Sequence, residues 1–337
     1  MQKNSVKRTA SALFLLFAVT FSAQAAKIAE LVPVGHTVGI KMQAEGVLIV
    51  QLTEVQGTDG PHSPAREAGV QEGDLLLKAN GTALHANDDL QKQVALSAGH
   101  PVELTLERDS SKKTVSVTPC KDKTGAWRIG VLARDSMAGI GTLTCVDPST
   151  RAFGSLGHGI CDSETGVLLP LQEGSIIRSM VSGVQRGKAG EPGALQGDFS
   201  SEKVLGTVAD NTECGIFGTM TDDSLYRELQ TVPAVTADEI RLGEAEILSN
   251  VAGDTVQRYS VQIVKVYPAD DEFGRGMMLR VTDPALIEKT GGIVQGMSGS
   301  PILQNGRLIG AVTHVLVDQP LEGYGISIEK MLQKSGE

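Results

Sequence analysis

The sequence predicts a mainly β chain in two parts, a small α+β module followed by a larger all-β domain. Three observations carry that expectation. From Ile129 almost to the end, short runs of apolar and β-branched residues alternate with Gly- and Asn-rich turns. In the first third, one helical stretch, "DDLQKQVALSAG" (88–99), sits between strand-like runs. Finally, 337 residues are too many for one ordinary core and about right for two domains.

Hydrophobic residues make up 41% of the chain and charged residues 21%, a balance that folds into a globule. The net charge is −10, with no Lys/Arg-rich block after the first residues. That argues against a nucleic-acid partner and supplies no polybasic signal for anionic lipid. Residues 1–26 read separately: Lys3, Lys7 and Arg8 precede the apolar run "ALFLLFAVTF" (12–21), and Ala23-Gln24-Ala25 follows as a cleavage pattern. This is the layout of a signal peptide, with a short membrane anchor as the alternative. The run is short for a span of about 20 residues. The mature chain is therefore expected to work beyond the cytoplasmic membrane.

Cys120, Cys145, Cys161 and Cys214 lack Cys-x-x-Cys spacing. Free or partly paired buried thiols are expected, and no zinc site. Cys161 follows His158 by three residues but has no glycine-framed loop of its own. No cofactor or metal is expected.

Residues 27–122 form the expected first module. "VGIKM" and "GVLIVQLTEV" read as strands, and "SPAREAGVQEGDLLLKANGTAL" as a short helix, a Gly turn, an apolar strand and an Asn80-Gly81 hairpin turn. The helix at 88–98 presents Leu90 and Val94 on one face and ends at Gly99. "PVELTLERDSSKKTVSVTP" closes the module with two strands around a polar turn. This order resembles a PDZ domain of the rearranged kind found in bacterial secreted proteases. The resemblance implies that "VGHTVGI" (34–40) is a carboxylate-binding loop, with the amides of Val38, Gly39 and Ile40 facing a peptide C-terminus. The peptide would add as a strand beside the helix; the alternative is a module that only braces the next domain. His36, His62, His85 and His100 fall in this module and are expected to be exposed. "KDKTGAW" (121–127) reads as a linker, and the second domain takes residues 123–337.

In that domain "GGIVQGMSGSPILQNGRLIGAV" (291–312) carries the chemistry. A hydroxyl needs a base to take its proton, and the resulting oxyanion needs N–H donors. A Gly-x-Ser-Gly loop suits both needs: Gly296 and Ser298 can turn their amides inward, and Gly299 lets the chain leave. The segment resembles the serine loop of chymotrypsin-like proteases. Ser300 lacks the preceding glycine arrangement and is assigned to packing. His158 in "FGSLGHGICD" is the leading base, while His314, in the strand after the serine, has doubtful reach. For the orienting acid two candidates stand. Asp283 precedes Pro284 and lies fifteen residues before the serine, and an Asp before Pro is also a common turn former. Asp210 sits between the histidine and the serine. A terminal helix is expected at "SIEKMLQKSG" (327–336).

Five blocks, "GGIVQGMSGSPI", "GSLGHGI", "RIGVLARDSMAGIGTLT", "GAVTHVLV" and "GYGISIEKML", together resemble the stage IV sporulation protein B family, PDZ-containing signalling peptidases of spore-forming bacteria. The resemblance covers about residues 31–335. It implies a Ser298, His158 and Asp283 triad, self-cleavage, and cleavage of a membrane-bound regulator between mother cell and forespore. That cut would release an intramembrane protease and activate a late sporulation sigma factor. The reading from the residues keeps two alternatives, a non-catalytic peptide-binding scaffold and a general quality-control protease.

Overall fold

The structure is a computed structural model that describes residues 29–198, 203–268, 271 and 275–333. The signal segment at 1–26 lies outside the described residues.

Two closed six-stranded barrels make up the larger part of the chain. The first runs through strands Glu30–Leu52, Val131–Val146, Ala152–Ser155, Gly215–Met220, Val204–Thr212 and Leu171–Arg178, and the last pairs back onto Glu30–Leu52. Val34, Val38, Ile40, Leu143, Ile176, Leu205 and Ile216 fill it. In the second, strands Gly243–Ser249, Gln257–Val266, Met277–Val281, Gln319–Ser327, Arg307–Leu316 and Pro301–Gln304 close in that order. Its core is Ile247, Val261, Leu279, Ile302 and Val312. Closure satisfies every strand edge, so strands this short make a stable wall without a covering layer. Between the barrels lies a further apolar cluster that includes Leu31, Phe217, Leu248, Leu303 and Ile326. The terminal helix Ile328–Gln333 adds Ile328 and Met331 to it. The architecture is the chymotrypsin-like one expected.

The PDZ module departs from its expected place in the chain. Strand Glu30–Leu52 is one continuous 23-residue strand. Its first half belongs to the first barrel, pairing Val38, Gly39 and Ile40 with Gly141, Ile140 and Gly139 on one edge. On the other edge the same three residues pair with Arg178, Ile177 and Ile176. Its second half enters the module, where Val47 and Leu48 pair with Leu76 and Leu75. The chain then builds strands Leu75–Ala79, Val102–Arg108 and Ser111–Val117 and helix Asn87–Leu96, and returns along Val131–Val146. The module is thus inserted into the first hairpin of the barrel, spanning roughly residues 45–134, and does not precede the barrel domain. The 27–122 and 123–337 division is corrected accordingly, because the run at 34–44 is barrel core. His36, expected to be exposed, is buried and bonds Asp254 at 2.9 Å. "KDKTGAW" is no linker but a short hairpin, Cys120–Lys121 against Trp127–Arg128, whose turn amides are held by the Asp122 carboxylate.

Other expectations hold inside the module. Asn80 and Gly81 take φ of 49° and 78°, the paired left-handed residues that a two-residue hairpin turn requires. Leu90 and Val94 bury the helix face against Val47, Ile49, Leu76 and Leu104. A fully buried Asp74 is gripped by Arg108 through two 2.6 Å bonds. Cys120, Cys145 and Cys161 form no disulfide. Burial pushes the Cys145 thiol up to about 12, which makes it an inert core residue.

The insertion yields a test. Gln43 faces Ser136 across the barrel hairpin, so replacing residues 45–134 by an Asn-Gly turn leaves an ordinary two-residue hairpin. That shortened chain is expected to melt cooperatively and to react with a fluorophosphonate probe. A chain lacking 27–122, which loses a central barrel strand, is expected to be unfolded. Circular dichroism melting of both variants checks this, and the opposite ranking would restore the N-terminal placement.

Candidate active site

Ser298 lies on a loop that the two barrels hold from both sides. From the first barrel, Thr142 donates its amide to the Ser298 carbonyl at 2.9 Å and its hydroxyl to the Gly296 carbonyl at 2.9 Å. Thr144 donates its hydroxyl to the Gly299 carbonyl at 2.8 Å. From the second, the Val312 carbonyl accepts from Gly299 N–H at 2.7 Å. Gly296 and Gly299 both take φ of +94°, the left-handed region a side chain disfavours. A Cβ on Gly299 would stand 2.1 Å from the Thr142 carbonyl oxygen, so only glycine permits the closure. Among the described residues, the amides of Gly296 and Ser298 have no hydrogen-bond acceptor. They are available for a developing oxyanion. Ser300 is fully buried and reaches only Ser249, at 3.2 Å, in keeping with a packing role.

His158 follows strand Ala152–Ser155 after two consecutive left-handed residues, Leu156 at φ 70° and Gly157 at φ 73°. That reversal turns the imidazole into the cleft. The cleft is about 990 Å³ and is lined by His158 and Leu156 from one barrel, and by Gly296, Ser298, Thr313 and His314 from the other. His158 Nδ1 lies 2.8 Å from the Gly159 carbonyl. A carbonyl only accepts, so Nδ1 carries the proton and Nε2 keeps the lone pair a base needs. Burial pushes the His158 pKa below the ordinary histidine range, although the bond to Gly159 works in the other direction. The Ser298 hydroxyl itself donates to the Thr313 carbonyl at 2.6 Å. It must rotate away before it can reach an imidazole.

The structure does not bring either candidate acid to His158. The Asp283 carboxylate is the N-cap of helix Pro284–Thr290, accepting from the amides of Ala285 at 2.9 Å and Leu286 at 3.1 Å. It also accepts from Ser260 N–H at 3.3 Å, and so is spent on backbone donors. The Asp-Pro pair that suggested a turn former is a helix start. Asp210 lies within strand Val204–Thr212 opposite Phe217 and does not line the cleft. Among the described residues, the carboxylate that lines it is Glu213, which sequence reasoning passed over; the exposed Cys161 lines it too. His314, doubtful in the sequence, stands at the cleft rim with its ring centroid 4.9 Å from that of His158. Only the alternation of the strand after the serine could have pointed to it.

The peptide-binding assignment moves as well. Val38, Gly39 and Ile40 are bonded on both strand edges and cannot receive a carboxylate. The open groove of the module, about 360 Å³, lies elsewhere, lined by Leu90, Gln91 and Val94 of the helix and by Trp127 to Val131. There, among the described residues, the amides of Ile129 and Gly130 have no acceptor, while their carbonyls accept from Ala65 and Thr53. A glycine flanked on both sides by Val or Ile occurs twice, at 38–40 and at 129–131, and the second copy opens onto the groove.

Two measurements follow. Because burial holds His158 neutral further down the pH scale, kcat/KM is expected to rise through an acid limb below the ordinary histidine range; a limb above it would mean that His158 is not the base. Asp283→Ala, which removes the cap, is expected to lower stability by about 0.5–2 kcal/mol. Asp283→Asn, still a good cap, should keep both stability and turnover. A loss of about 10⁴-fold in Asp283→Asn with unchanged melting would instead place the carboxylate on His158 in the working enzyme.

Comparison with known proteins agrees with this architecture. Residues 125–332 match the family model described as SpoIVB peptidase S55, and residues 38–118 match the PDZ domain model. The chain is 38% identical over 71 residues to a putative zinc metalloprotease of Clostridium perfringens, covering 21% of each protein. It is 32% identical over 160 residues to a probable periplasmic serine endoprotease DegP-like of Pseudomonas putida, covering 46% of this chain and 29% of that one. The chain thus spans less than a third of the length of these two relatives. Among solved structures, the active form of the Rv3671c protease from M. tuberculosis is similar over 59% of this chain and 75% of that one, at 16% identity and a TM-score of 0.36. The peptidase match covers more than half of the chain: the protein belongs to the SpoIVB peptidase S55 family and carries a PDZ domain.

Proposed function

We propose that the protein is a regulatory serine endopeptidase in which Ser298 is the nucleophile, His158 the base, and the Gly296 and Ser298 amides the oxyanion hole. The observation that carries this reading is the shared cleft, where Ser298 and His158 meet from opposite barrels with two unpartnered amides on the serine loop. A substrate backbone N–H that takes the Thr313 carbonyl would free the Ser298 hydroxyl to turn toward His158 Nε2. The Oγ–carbon bond then forms as the proton passes to Nε2 and the carbonyl electron pair moves onto the oxygen. Collapse breaks the carbon–nitrogen bond, and the imidazolium returns its proton to the leaving amine. Water repeats the sequence and releases the acyl group. The Gly159 carbonyl fixes the imidazole tautomer throughout, the task a carboxylate performs in other triads.

Family membership supports the biological setting. The expected substrates are the protein itself and a membrane-bound regulatory protein, cut after export, in the space between forespore and mother cell. The cut would release an intramembrane protease and with it a late sporulation sigma factor. The groove between helix Asn87–Leu96 and residues 127–131 would take peptide C-termini and select targets.

Ser298→Ala is expected to abolish fluorophosphonate labelling and any self-cleavage mapped by mass spectrometry, while melting is unchanged. A variant that still processes itself at the wild-type rate would end the serine-peptidase assignment to this residue. For the groove, calorimetric titration of the full chain with C-terminal peptides should favour free acids over their amides. Equal binding of both, or of neither, would reduce the module to a brace.

A further inference from the structure

We infer that His158 and His314 form a two-imidazole site for a zinc-class divalent cation, and that occupancy of this site shuts the peptidase. Their ring centroids are 4.9 Å apart with the planes inclined by 36°. An ion about 2.0–2.1 Å from one nitrogen of each ring, with a near-tetrahedral angle between the two bonds, sets the centroids about 5 Å apart. The observed centroid spacing falls at that value. His314 is exposed at the cleft rim, so an ion from solvent has a path to it.

The protonation states suit the same chemistry. A metal needs a neutral imidazole. The Nδ1–H of His158 is already donated to the Gly159 carbonyl, the second-sphere bond that orients a ligating ring and leaves Nε2 free. Among the described residues, no group of three or more His, Cys, Asp or Glu side chains is placed to hold a metal. The ion would therefore have two protein ligands and complete its shell with water or with Ser298 Oγ. Such a site binds reversibly, as an inhibitor rather than as a structural centre. Its effect follows from one lone pair: Nε2 cannot both bind the ion and take the serine proton. The inhibition, though not the binding, rests on His158 being the base.

The test uses the full chain and Zn²⁺ alone. Calorimetry in a non-chelating buffer is expected to show one ion bound per chain, with affinity at least tenfold weaker in both His158→Phe and His314→Phe. Melting curves and a second variant, His314→Gln, guard against misfolding. Fluorophosphonate labelling of the wild type should slow at least tenfold under saturating Zn²⁺ and recover with EDTA. No binding to the wild type, or binding undiminished in the histidine variants, overturns the site. Histidine-dependent binding that leaves labelling untouched overturns the inhibition and the assignment of His158 as base, while the metal site stands.

Discussion

The pairing of Glu30–Leu52 with Val131–Val146 is the constraint on which the rest depends. This antiparallel pair runs from the first barrel's core at Val32 and Val146 to the PDZ module at Leu52 and Val131, with bulges along the way. At one end it closes the first barrel, and at the other it supplies two strands to the module. In the middle Thr142 and Thr144 hold the serine loop. A slip of one residue in this register would turn Thr142 and Thr144 away from the loop and move Val38 and Ile40 out of the barrel core.

The active site is assembled by backbone more than by side chains. Carbonyls of Gly296, Ser298 and Gly299 all accept hydrogen bonds from the first barrel, and Gly296 and Ser298, whose amides have no acceptor among the described residues, line the cleft. The imidazole tautomer is likewise set by a carbonyl, that of Gly159. A neutral carbonyl orients the ring without adding negative charge beside it, and burial pushes the imidazole pKa below the ordinary histidine range. The Asp283 carboxylate acts at a remove. It starts helix Pro284–Thr290, whose left-handed Gly291 delivers the chain into the loop that carries Ser298.

The insertion links the groove and the cleft through the same strand. Val131 lines the groove, and Met137 to Ile140, six to nine residues further on, line the cleft. The module is pinned near this strand by Asn87, which reaches Ala133 and Asp135, and by Arg134, which pairs with the buried Asp162 at 2.6 Å. These ties give the module a defined seat on the barrel in place of a flexible tether.

The β character of the chain, the two hairpin turns of the module, the terminal helix and the loop around Ser298 were all legible in the sequence. Each is decided by local chemistry: an Asn-Gly pair, an apolar period, or glycines that tolerate positive φ. His158 was legible for a similar reason, since small residues around it allow a turn into a cleft. Partnerships between distant segments were not legible. "VGHTVGI" has the composition of a binding loop, yet the distant strands Val131–Val146 and Leu171–Arg178 cover its two edges and make it barrel core. Asp283 has the spacing of a triad acid, yet three backbone amides claim it. His314 looked remote because nothing in one dimension says which side of a strand faces another barrel. Local propensity is set by neighbours in the chain; the occupancy of a hydrogen-bond acceptor or a strand edge is set by whatever the closed barrels bring against it, and only the tertiary structure decides that.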